Sequence, residues 1–473
     1  MRINHNISAL KACNILGKTN SALDTSLERL SSGFRINRAA DDAAGLAISE
    51  KMKTQIAGLE QASRNAADGI SVIQTAEGAL DEVEAMLQRM RELSVQAANG
   101  VNTDEDRAAI QDEIDQLNEE INRVSDTTEF NTKKLLNGTV DRRSYSDNEK
   151  IQLISLSDAV DITEYALEVI TSPEPAKIET TMDAATSKTA ALGYNGKIAI
   201  NEKEIEVVET DTLSDIYEKL RNAGTAVDIN VTPVTEDANG EMQTATLADA
   251  TGLQFESVDK GDDATIEIYC TNEALATALG ISSGMSAAGV DAVVELDYDT
   301  GFEPTATVSI DGDYVTVTDV DDFKMKFKVE GTASATVTVL KAGPMDLQIG
   351  ANEGQTMEVR IPKVDTDTLG TAVVNVNTQE SAQKAITIFE NAINEVSSIR
   401  AKLGAYQNRL EHSINSLNIS AENLTEALSR VEDVDMAKEM VTYTQQQVLS
   451  QSGNAMLAQA NERPQNILSL LQS

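Results

Sequence analysis

Tryptophan is absent from the 473 residues, aromatic residues make up only 3%, and there are just two histidines and two cysteines. The two imidazoles, of His5 and His412, are too few for a histidine-based zinc site and leave almost no candidates for a Ser-His-Asp triad. Glycine-rich phosphate loops and paired-cysteine metal motifs do not occur. We therefore expect no catalytic residue, no cofactor and no bound metal, and we expect that the chain is not an enzyme.

Positive charge is also scarce, since 38 basic residues face 77 acidic ones and the net charge is −39. Phosphate-rich partners require clustered lysine and arginine, so this balance disfavours binding to nucleic acid or to an anionic membrane. No run of 18 apolar residues occurs, and the first residues lack the apolar stretch of a signal peptide. If the chain is exported, we expect a route that does not cleave a conventional leader. Cys13 and Cys270 are far apart, and we expect two unpaired thiols.

Proline is rare and unevenly placed, which divides the chain into three parts. None precedes Pro173, six lie from Pro173 to Pro362, and only Pro464 follows. Because an interior proline costs a helix about 3 kcal/mol, long helices are permitted at both ends and disfavoured between them.

Towards the C-terminal end, one apolar residue recurs at every seventh position from 389 to 431. A second apolar row beside it is interrupted by Arg400 and Gln407. Such a narrow stripe predicts a coiled-coil helix, about 65 Å long at about 1.5 Å per residue, whose seam another long helix must cover. The seam positions are Phe389, Val396, Leu403, Leu410, Leu417, Leu424 and Val431.

The partner for this seam is predicted near the N-terminal end. Leu59, Ile73, Leu80 and Leu87 follow the same heptad spacing between positions 59 and 97, on a helix that should begin near position 42. This helix should stop at Asn99-Gly100, and Thr103 with Asp106 should cap the next one, giving an antiparallel helical hairpin.

From about position 139 the pattern changes to short alternating runs that predict strands. Acidic residues outnumber basic ones by about three to one over residues 171–345. We predict one or two acidic β-rich domains with short helices at 213–221 and 272–279 and a β-hairpin near 347–361, followed by the long helix with Asn377 and Glu380 as caps. The strands are expected at 197–200, 204–208, 226–231, 264–269, 314–318, 323–329 and 335–340. The predicted fold class is α+β and elongated, with long antiparallel coiled-coil helices from both termini and an inserted β-rich outer region.

The last residues form an apolar end that a solitary protein would leave exposed to water. We expect a helix beyond Val431 that breaks at Gly453 and resumes at Met456. At its end lie Ile467, Leu468, Leu470 and Leu471, which we predict to be an assembly terminus that docks on a partner.

Long motifs at both ends of the chain resemble those of bacterial flagellin, the subunit of the flagellar filament. At the N-terminal end these are LERLSSGFRINRAADDAAGLAI at residues 27–48 and QASRNAADGIS at residues 61–71. At the C-terminal end they are NRLEHSI from Asn408, SRVEDVD from Ser429 and MLAQANERPQNILSLL from Met456. The resemblance covers about half of the chain.

The resemblance implies a division into domains. Residues 1–44 and 433–473 would form the inner-tube helical domain of the filament, and residues 45–138 and 346–432 a helical rod domain that carries the hairpin near 347–361. Residues 139–345 would be the inserted outer part. In this family the innermost segments fold only on assembly, which would give the apolar terminus a purpose.

The resemblance also implies partners and a location. The chain would be exported unfolded through the flagellar type III apparatus, with a dedicated chaperone on its C-terminal segment. It would then polymerise with copies of itself into the extracellular flagellum, in contact with the cap and hook-filament junction proteins. Arg89, Leu93 and Glu113 occupy the positions recognised in some members by the vertebrate innate immune receptor for flagellin.

Alternatives remain open at this point. The insert lies before the hairpin rather than after it, unlike in much-studied family members, and its role is not fixed by the pattern. Two alternative interpretations are an adhesin or receptor ligand that binds through its insert, and a hook-filament junction protein. A carboxylate-based enzyme site in the acidic insert is a further, weaker alternative.

Overall fold

The computed structural model describes residues 6–157, 159–183, 191–236, 242–247, 249–281, 284–320 and 323–472, without the side chains of 236 and 463–472. The helices are α1 (Ile7–Ser32), α2 (Ala43–Ala97), α3 (Asp104–Thr127), α4 (Leu213–Ala226), α5 (Glu273–Leu279), α6 (Thr366–Leu369), α7 (Gln379–Glu432) and α8 (Met436–Gln472). The long helices therefore come from both ends of the chain, and a β-rich region separates them, as the α+β prediction states.

In chain order, the strands up to residue 244 are β1 (Glu129–Phe130), β2 (Lys133–Lys134), β3 (Ser144–Ser146), β4 (Ile151–Leu156), β5 (Glu164–Thr171), β6 (Pro175–Glu179), β7 (Gly196–Ile200), β8 (Lys203–Val207), β9 (Ile229–Glu236) and β10 (Met242–Thr244). The remaining strands are β11 (Gly252–Lys260), β12 (Thr265–Cys270), β13 (Met285–Ala288), β14 (Val293–Leu296), β15 (Thr307–Asp311), β16 (Tyr314–Thr318), β17 (Lys324–Val329), β18 (Ala333–Val339), β19 (Met345–Gln348) and β20 (Thr356–Val359).

The chain divides into two compact units. Unit 1 comprises Met1–Gly69, Leu347–Met357 and Arg409–Ser473, and unit 2 comprises Ile70–Asp346 and Glu358–Asn408. The long helices α2 and α7 each contribute residues to both units.

In unit 2, the heptad residues of α2 and α7 are buried as the sequence predicts. Ile73, Leu80 and Leu87 on α2 and Phe389 and Val396 on α7 are fully shielded from solvent. Ion pairs between the two helices, such as Arg91 with Glu390, flank this core. The burial of both stripes and the ion pairs between the helices agree with the predicted pairing of α2 and α7.

The second helix of the helical hairpin, α3, begins with a capping box. Thr103 Oγ1 accepts a hydrogen bond from the Asp106 amide, and the Asp106 carboxylate accepts one from the Thr103 amide. This arrangement satisfies two amides at the start of α3, so the predicted boundary after Asn99-Gly100 is confirmed. Arg107 on α3 also donates to the carbonyl of Ala97, at the end of α2.

The β-rich insert of unit 2 has two hydrophobic cores. One lies among the sheets β10-β9-β11-β6 and β13-β12-β7-β8 with α4 and α5, and Phe255 and Ile266 are buried in it. The other lies among the sheets β14-β5-β18-β3 and β15-β16-β17-β4 and buries Tyr165 and Phe327. The strands of the first core are inserted in the chain between β5 and β14 of the second.

Three local predictions are wrong. Residues 226–231 begin in the last turn of α4, and the strand starts only at Ile229. The cap of α7 is Thr378, whose hydroxyl accepts from the amide of Ser381, rather than Asn377. Helix α8 runs through Gly453 without a break, because antiparallel contact with α1 holds the helix there.

Within the described residues, we find no helix that is both long enough and apolar enough to cross a lipid bilayer. Cys13 is exposed and Cys270 is buried, and neither forms a disulfide.

Candidate functional site

Helices α1 and α8 of unit 1, here called the terminal helix pair, run antiparallel. Asn6 at the start of α1 donates from Nδ2 to the carbonyl of Ala460, 2.8 Å away. Midway, Ser450 Oγ donates to Asn20 Oδ1 at 2.9 Å, and near the end of α1 Ser26 Oγ donates to the carboxylate of Glu439. As the residue number rises along α1, the number of its hydrogen-bond partner on α8 falls, which shows that the two helices are antiparallel.

A short backbone bridge joins the base of this pair. Gly33 ends α1 in the left-handed conformation, with φ of 77°, and its carbonyl accepts from the amide of Val434 at 3.0 Å. The amide of Arg35 donates to the carbonyl of Glu432 at 2.6 Å. These bonds hold the two ends of the chain side by side.

Glu432 also anchors this base to α2. Its side chain, 6% exposed, accepts a hydrogen bond from Lys53 Nζ at 2.7 Å. This bond, despite the opposing effect of partial desolvation, raises the pKa of Lys53. The carboxylate is thus held by a lysine at the point where α7 ends.

The terminal helix pair leaves large apolar side chains in water. Ser26 is the one described α1 residue that is buried, and Leu10 and Ile15 on α1 are 65% and 64% exposed. On α8, Val441 and Met456 are 69% and 66% exposed. One face of α8 carries an open, largely apolar groove-like patch, here called the apolar groove of α8, formed by Met440, Val441, Thr444, Gln445, Val448 and Leu449. Exposed apolar surface of this extent is typical of a protein-protein interaction site.

The predicted seam residues of unit 1 are less completely buried. Leu410 is fully buried and Leu417 is 9% exposed, whereas Leu59, Leu424 and Val431 are half-buried. In unit 2, Leu403 is 1% exposed and joins the buried seam residues already named. In unit 1 the apolar stripe therefore includes partly exposed side chains, which a helix from another subunit can cover.

Ile467, Leu468, Leu470 and Leu471 belong to the segment whose side chains lie outside the described part of the structure. Their role as an assembly terminus stays a prediction.

Arg89 and Glu113 of unit 2 meet across the helical hairpin. Arg89 donates from Nε and Nη2 to the same carboxylate oxygen of Glu113, at 3.0 and 2.8 Å, and this hydrogen bond raises the pKa of Arg89. Leu93, one turn further along α2, is only 2% exposed and belongs to the core. The structure thus places two of the three predicted receptor-contact residues together on the surface and buries the third.

Sequence reasoning missed the close contact of the terminal helix pair at Gly453. A Cβ atom at this position would lie 3.2 Å from Leu16 Cδ1 on α1. The sequence feature that could have predicted this contact is the glycine itself. A glycine inside a helical pattern can mark either a break in the helix or a point of close helix packing. In the described part of the chain, no three His, Cys, Asp or Glu side chains are grouped as metal ligands.

Residues 3–141 match the family model for the bacterial flagellin N-terminal helical region, and residues 386–471 match that for the C-terminal helical region. A flagellin of Clostridium tyrobutyricum is 37% identical over 98% of this chain and 100% of its own length. A flagellin of Bacillus subtilis strain 168 is 35% identical, and the match covers both chains in full. The chain belongs to the bacterial flagellin family.

Other relatives extend over the same length, including flagellin D of Vibrio anguillarum, which is 35% identical over 100% of this chain and 99% of its own. The crystal structure of Bacillus cereus flagellin matches 75% of this chain and 88% of that chain at 15% identity, with a TM-score of 0.26.

As a flagellin, the chain is a structural subunit that polymerises with copies of itself into the bacterial flagellar filament, which is extracellular and serves motility. The full-length matches include the acidic insert, so the filament subunit is favoured over the hook-filament junction alternative.

Proposed function

We propose that the terminal helix pair is the main surface through which copies of this flagellin join in the filament. The observation that carries the proposal is the exposure of Leu10, Ile15, Val441 and Met456 on two helices that already pack against each other. Burying this apolar surface between subunits is favourable by about 25 cal/mol per Å², and heterologous contacts that do not close produce a helical polymer.

The domain scheme belongs to this proposal. Residues 1–44 and 433–473 form the inner tube, residues 45–138 and 346–432 the surrounding rod with its hairpin near 347–361, and residues 139–345 the outer insert. The half-buried seam residues Leu59, Leu424 and Val431, together with Ile467, Leu468, Leu470 and Leu471, complete their burial against neighbouring subunits. The assembly contacts need no catalytic group.

The remaining partners belong to the same proposal. A dedicated export chaperone covers the C-terminal segment before export, because an apolar helix without its filament neighbours is prone to aggregation. The chain passes the flagellar export apparatus unfolded, and its terminal segments fold on assembly, with cap and hook-filament junction proteins at the two ends of the filament. Arg89, Leu93 and Glu113 mark a surface recognised by the vertebrate innate receptor, and Arg89 and Glu113 are its exposed part.

A single substitution pair tests the assembly surface. Val448→Asp places a charge in the apolar groove of α8, and Gln447→Asp places the same charge at the neighbouring exposed position, which does not line the groove. We expect seeded filament growth to be lost in V448D and retained in Q447D, because an interface does not bury an unpaired carboxylate. Filaments of V448D that grow at the wild-type rate would overturn the proposal.

Two deletions separate the terminal helix pair from the insert. A chain without residues 440–473 should remain a folded monomer that does not add to seeds, whereas a chain without residues 140–344 should still polymerise. Loss of growth on deleting the insert, with retained binding to a surface ligand, would favour the adhesin alternative.

A further inference from the structure

A cavity of about 290 Å³ in unit 2 carries positive charge inside a strongly acidic chain. It lies where β4, β17, the segment after β20 and α7 meet. Five cationic residues line it against only two carboxylates, those of Asp141 and Glu395. The cationic residues are Lys324, Lys326, Arg360, Lys363 and Lys402. In a chain of net charge −39 this local excess of basic side chains in the cavity lining favours an anion over a cation as a ligand.

Three of these cations have carboxylate partners. Arg360 donates from Nε and Nη2 to Asp141 Oδ1, at 3.0 and 2.7 Å, and both side chains are largely buried. Lys324 Nζ lies 3.9 Å from Glu395, and Lys363 pairs with Asp365. The two carboxylates that line the cavity are therefore already engaged.

Lys326 forms no ion pair with a described carboxylate. Its Nζ lies over the ring of Tyr314, 4.7 Å from the centroid. Among the described residues, the carboxylates of Asp311, Glu395 and Asp313 act on it only from beyond ion-pair distance. Burial, with the adjacent charge of Lys324, lowers the pKa of Lys326. A partly buried ammonium in this position is stabilised by any anion that enters the cavity.

The cavity also offers neutral groups suited to an oxyanion. Ser155 is the register partner of Lys326 across β4 and β17, and it lines the cavity. Ser398 and Asn391 on α7 also line the cavity and supply a hydroxyl and an amide. Cations combined with neutral hydrogen-bond donors are the groups that hold a compact polyanion.

We propose that this basic cavity binds a small tetrahedral oxyanion of the phosphate or sulfate class, with Lys326 as its principal cationic contact. Its volume is near the lower limit for ligand pockets, so the ligand is an ion or a small phosphomonoester rather than a nucleotide. The bound anion joins β17 to α7 and thereby stabilises unit 2. The site is separate from the terminal helix pair and does not depend on polymerisation.

The probe is inorganic phosphate, added to the full-length free subunit at an ionic strength held constant with sodium chloride. We expect saturable binding by titration calorimetry and a rise in melting temperature that follows the same saturation curve. Lys326→Met should weaken phosphate binding by about tenfold or more, the effect of losing one charge-assisted contact. The control Lys328→Met removes the same charge from the same strand outside the cavity lining, and should change the affinity by less than about twofold.

The source of the anion is distinguished by parallel titrations with sulfate and with glycerol 3-phosphate. Binding of inorganic ions alone supports a free-ion site, and equal binding of glycerol 3-phosphate supports a phosphomonoester site. A melting temperature that responds to phosphate only as it does to chloride would overturn the proposal, as would equal affinities of K326M and K328M. If circular dichroism shows that K326M does not fold, Lys326→Gln, which keeps a polar end, replaces it with the same expected loss.

Discussion

Arg400 on α7 and Glu84 on α2 form a hydrogen-bonded ion pair within the apolar seam of unit 2. Arg400 Nη1 lies 2.5 Å from Glu84 Oε2, and Nη2 lies 2.9 Å from Asp81 Oδ1. The side chains of Arg400 and Glu84 are 28% and 18% exposed. The bond to Glu84 raises the pKa of Arg400. A polar interruption of the heptad row thus fixes which residues of the two helices face each other.

Replacing Arg400 tests this arrangement. Arg400→Ala should lower the free energy of unfolding by about 1–3 kcal/mol, because Glu84 keeps its partial burial and loses its partner. The double variant Arg400→Leu with Glu84→Leu should recover most of the loss, since an apolar pair continues the seam. Urea unfolding of the free subunit measures both effects.

The control is an exposed pair on the same helix. Lys384 lies 3.7 Å from Glu380, and both side chains are more than half exposed. Lys384→Ala should change the free energy of unfolding by less than about 0.5 kcal/mol. Equal losses in R400A and K384A would show that the seam pair does not contribute as argued.

Much of the helical part could be predicted because its signals are local. The heptad spacing that places Phe389 and Leu410 on one face needs only the sequence, and so does the Thr103 cap with its acidic partner three positions later. Neighbouring cap candidates are harder to separate. Asn377 and Thr378 both suit the position, and only the path of the preceding chain decides for Thr378.

The insert could be predicted only in part, for a physical reason. Alternation identifies β5 and β18, but their pairing joins residues such as Leu167 and Ala335, which the chain separates widely. Strand order depends on which faces pack together, and alternation does not contain that information. The basic cavity was missed for the same reason, since Lys326, Arg360 and Lys402 come from three separate segments.

A half-buried aspartate in the insert predicts a pH dependence of stability. Asp228 adopts the left-handed conformation, with φ of 55°. Burial raises the pKa of Asp228 above 3.8, the nearby charge of Asp259 adds to this, and a hydrogen bond with Asn375 opposes it. The folded state then holds this proton more tightly than the unfolded chain. The stability from protonated Asp228 is present below pH 3.8 and is lost as the pH rises through the folded-state pKa.

Asp228→Asn should therefore make unit 2 more stable at neutral pH and remove this contribution to the pH dependence. Asparagine tolerates the left-handed conformation, so the substitution adds little strain. Thermal unfolding followed from pH 4 to pH 8 measures the change. Asp299→Asn, at an exposed position, is the control and should leave the profile unchanged. A D228N profile parallel to that of the wild type would contradict the argument.

The contact at Gly453 predicts that the terminal helix pair depends on a small residue there. Gly453→Leu should push α1 away from α8, because the new side chain meets Leu16. We expect a lower helix content in the free subunit and slower seeded growth. Circular dichroism and light scattering measure these two quantities.

Gly17 on α1 provides the matched control, since a Cβ atom there meets nothing within 4 Å. Gly17→Ala should stabilise α1 by about 1 kcal/mol, the usual gain from alanine in a helix interior. If G453L melts and polymerises like G17A, the close packing at Gly453 does not matter for assembly.

The burial of Leu93 raises the question whether it contacts the receptor directly or only stabilises the fold that presents Arg89 and Glu113. Leu93→Ala should lower the free energy of unfolding by about 2–5 kcal/mol, because it leaves a cavity in the core. Glu113→Ala should lower it by only about 0.2–1 kcal/mol, since its bond with Arg89 lies at the surface. If Arg89 and Glu113 form the contact, E113A loses affinity for the innate receptor although its free energy of unfolding changes only by this small amount.

Binding of each free subunit to the receptor ectodomain, measured beside its urea unfolding curve, distinguishes the two effects. Glu119→Ala, at an exposed position of α3, is the control and should leave both quantities unchanged. The affinity of L93A should recover when the measurement is made at a temperature where the variant is fully folded, because the buried Leu93 is not itself accessible to a partner. Full affinity in E113A would exclude the exposed pair as the contact, and a persistent loss in fully folded L93A would mean that the receptor reaches Leu93 itself.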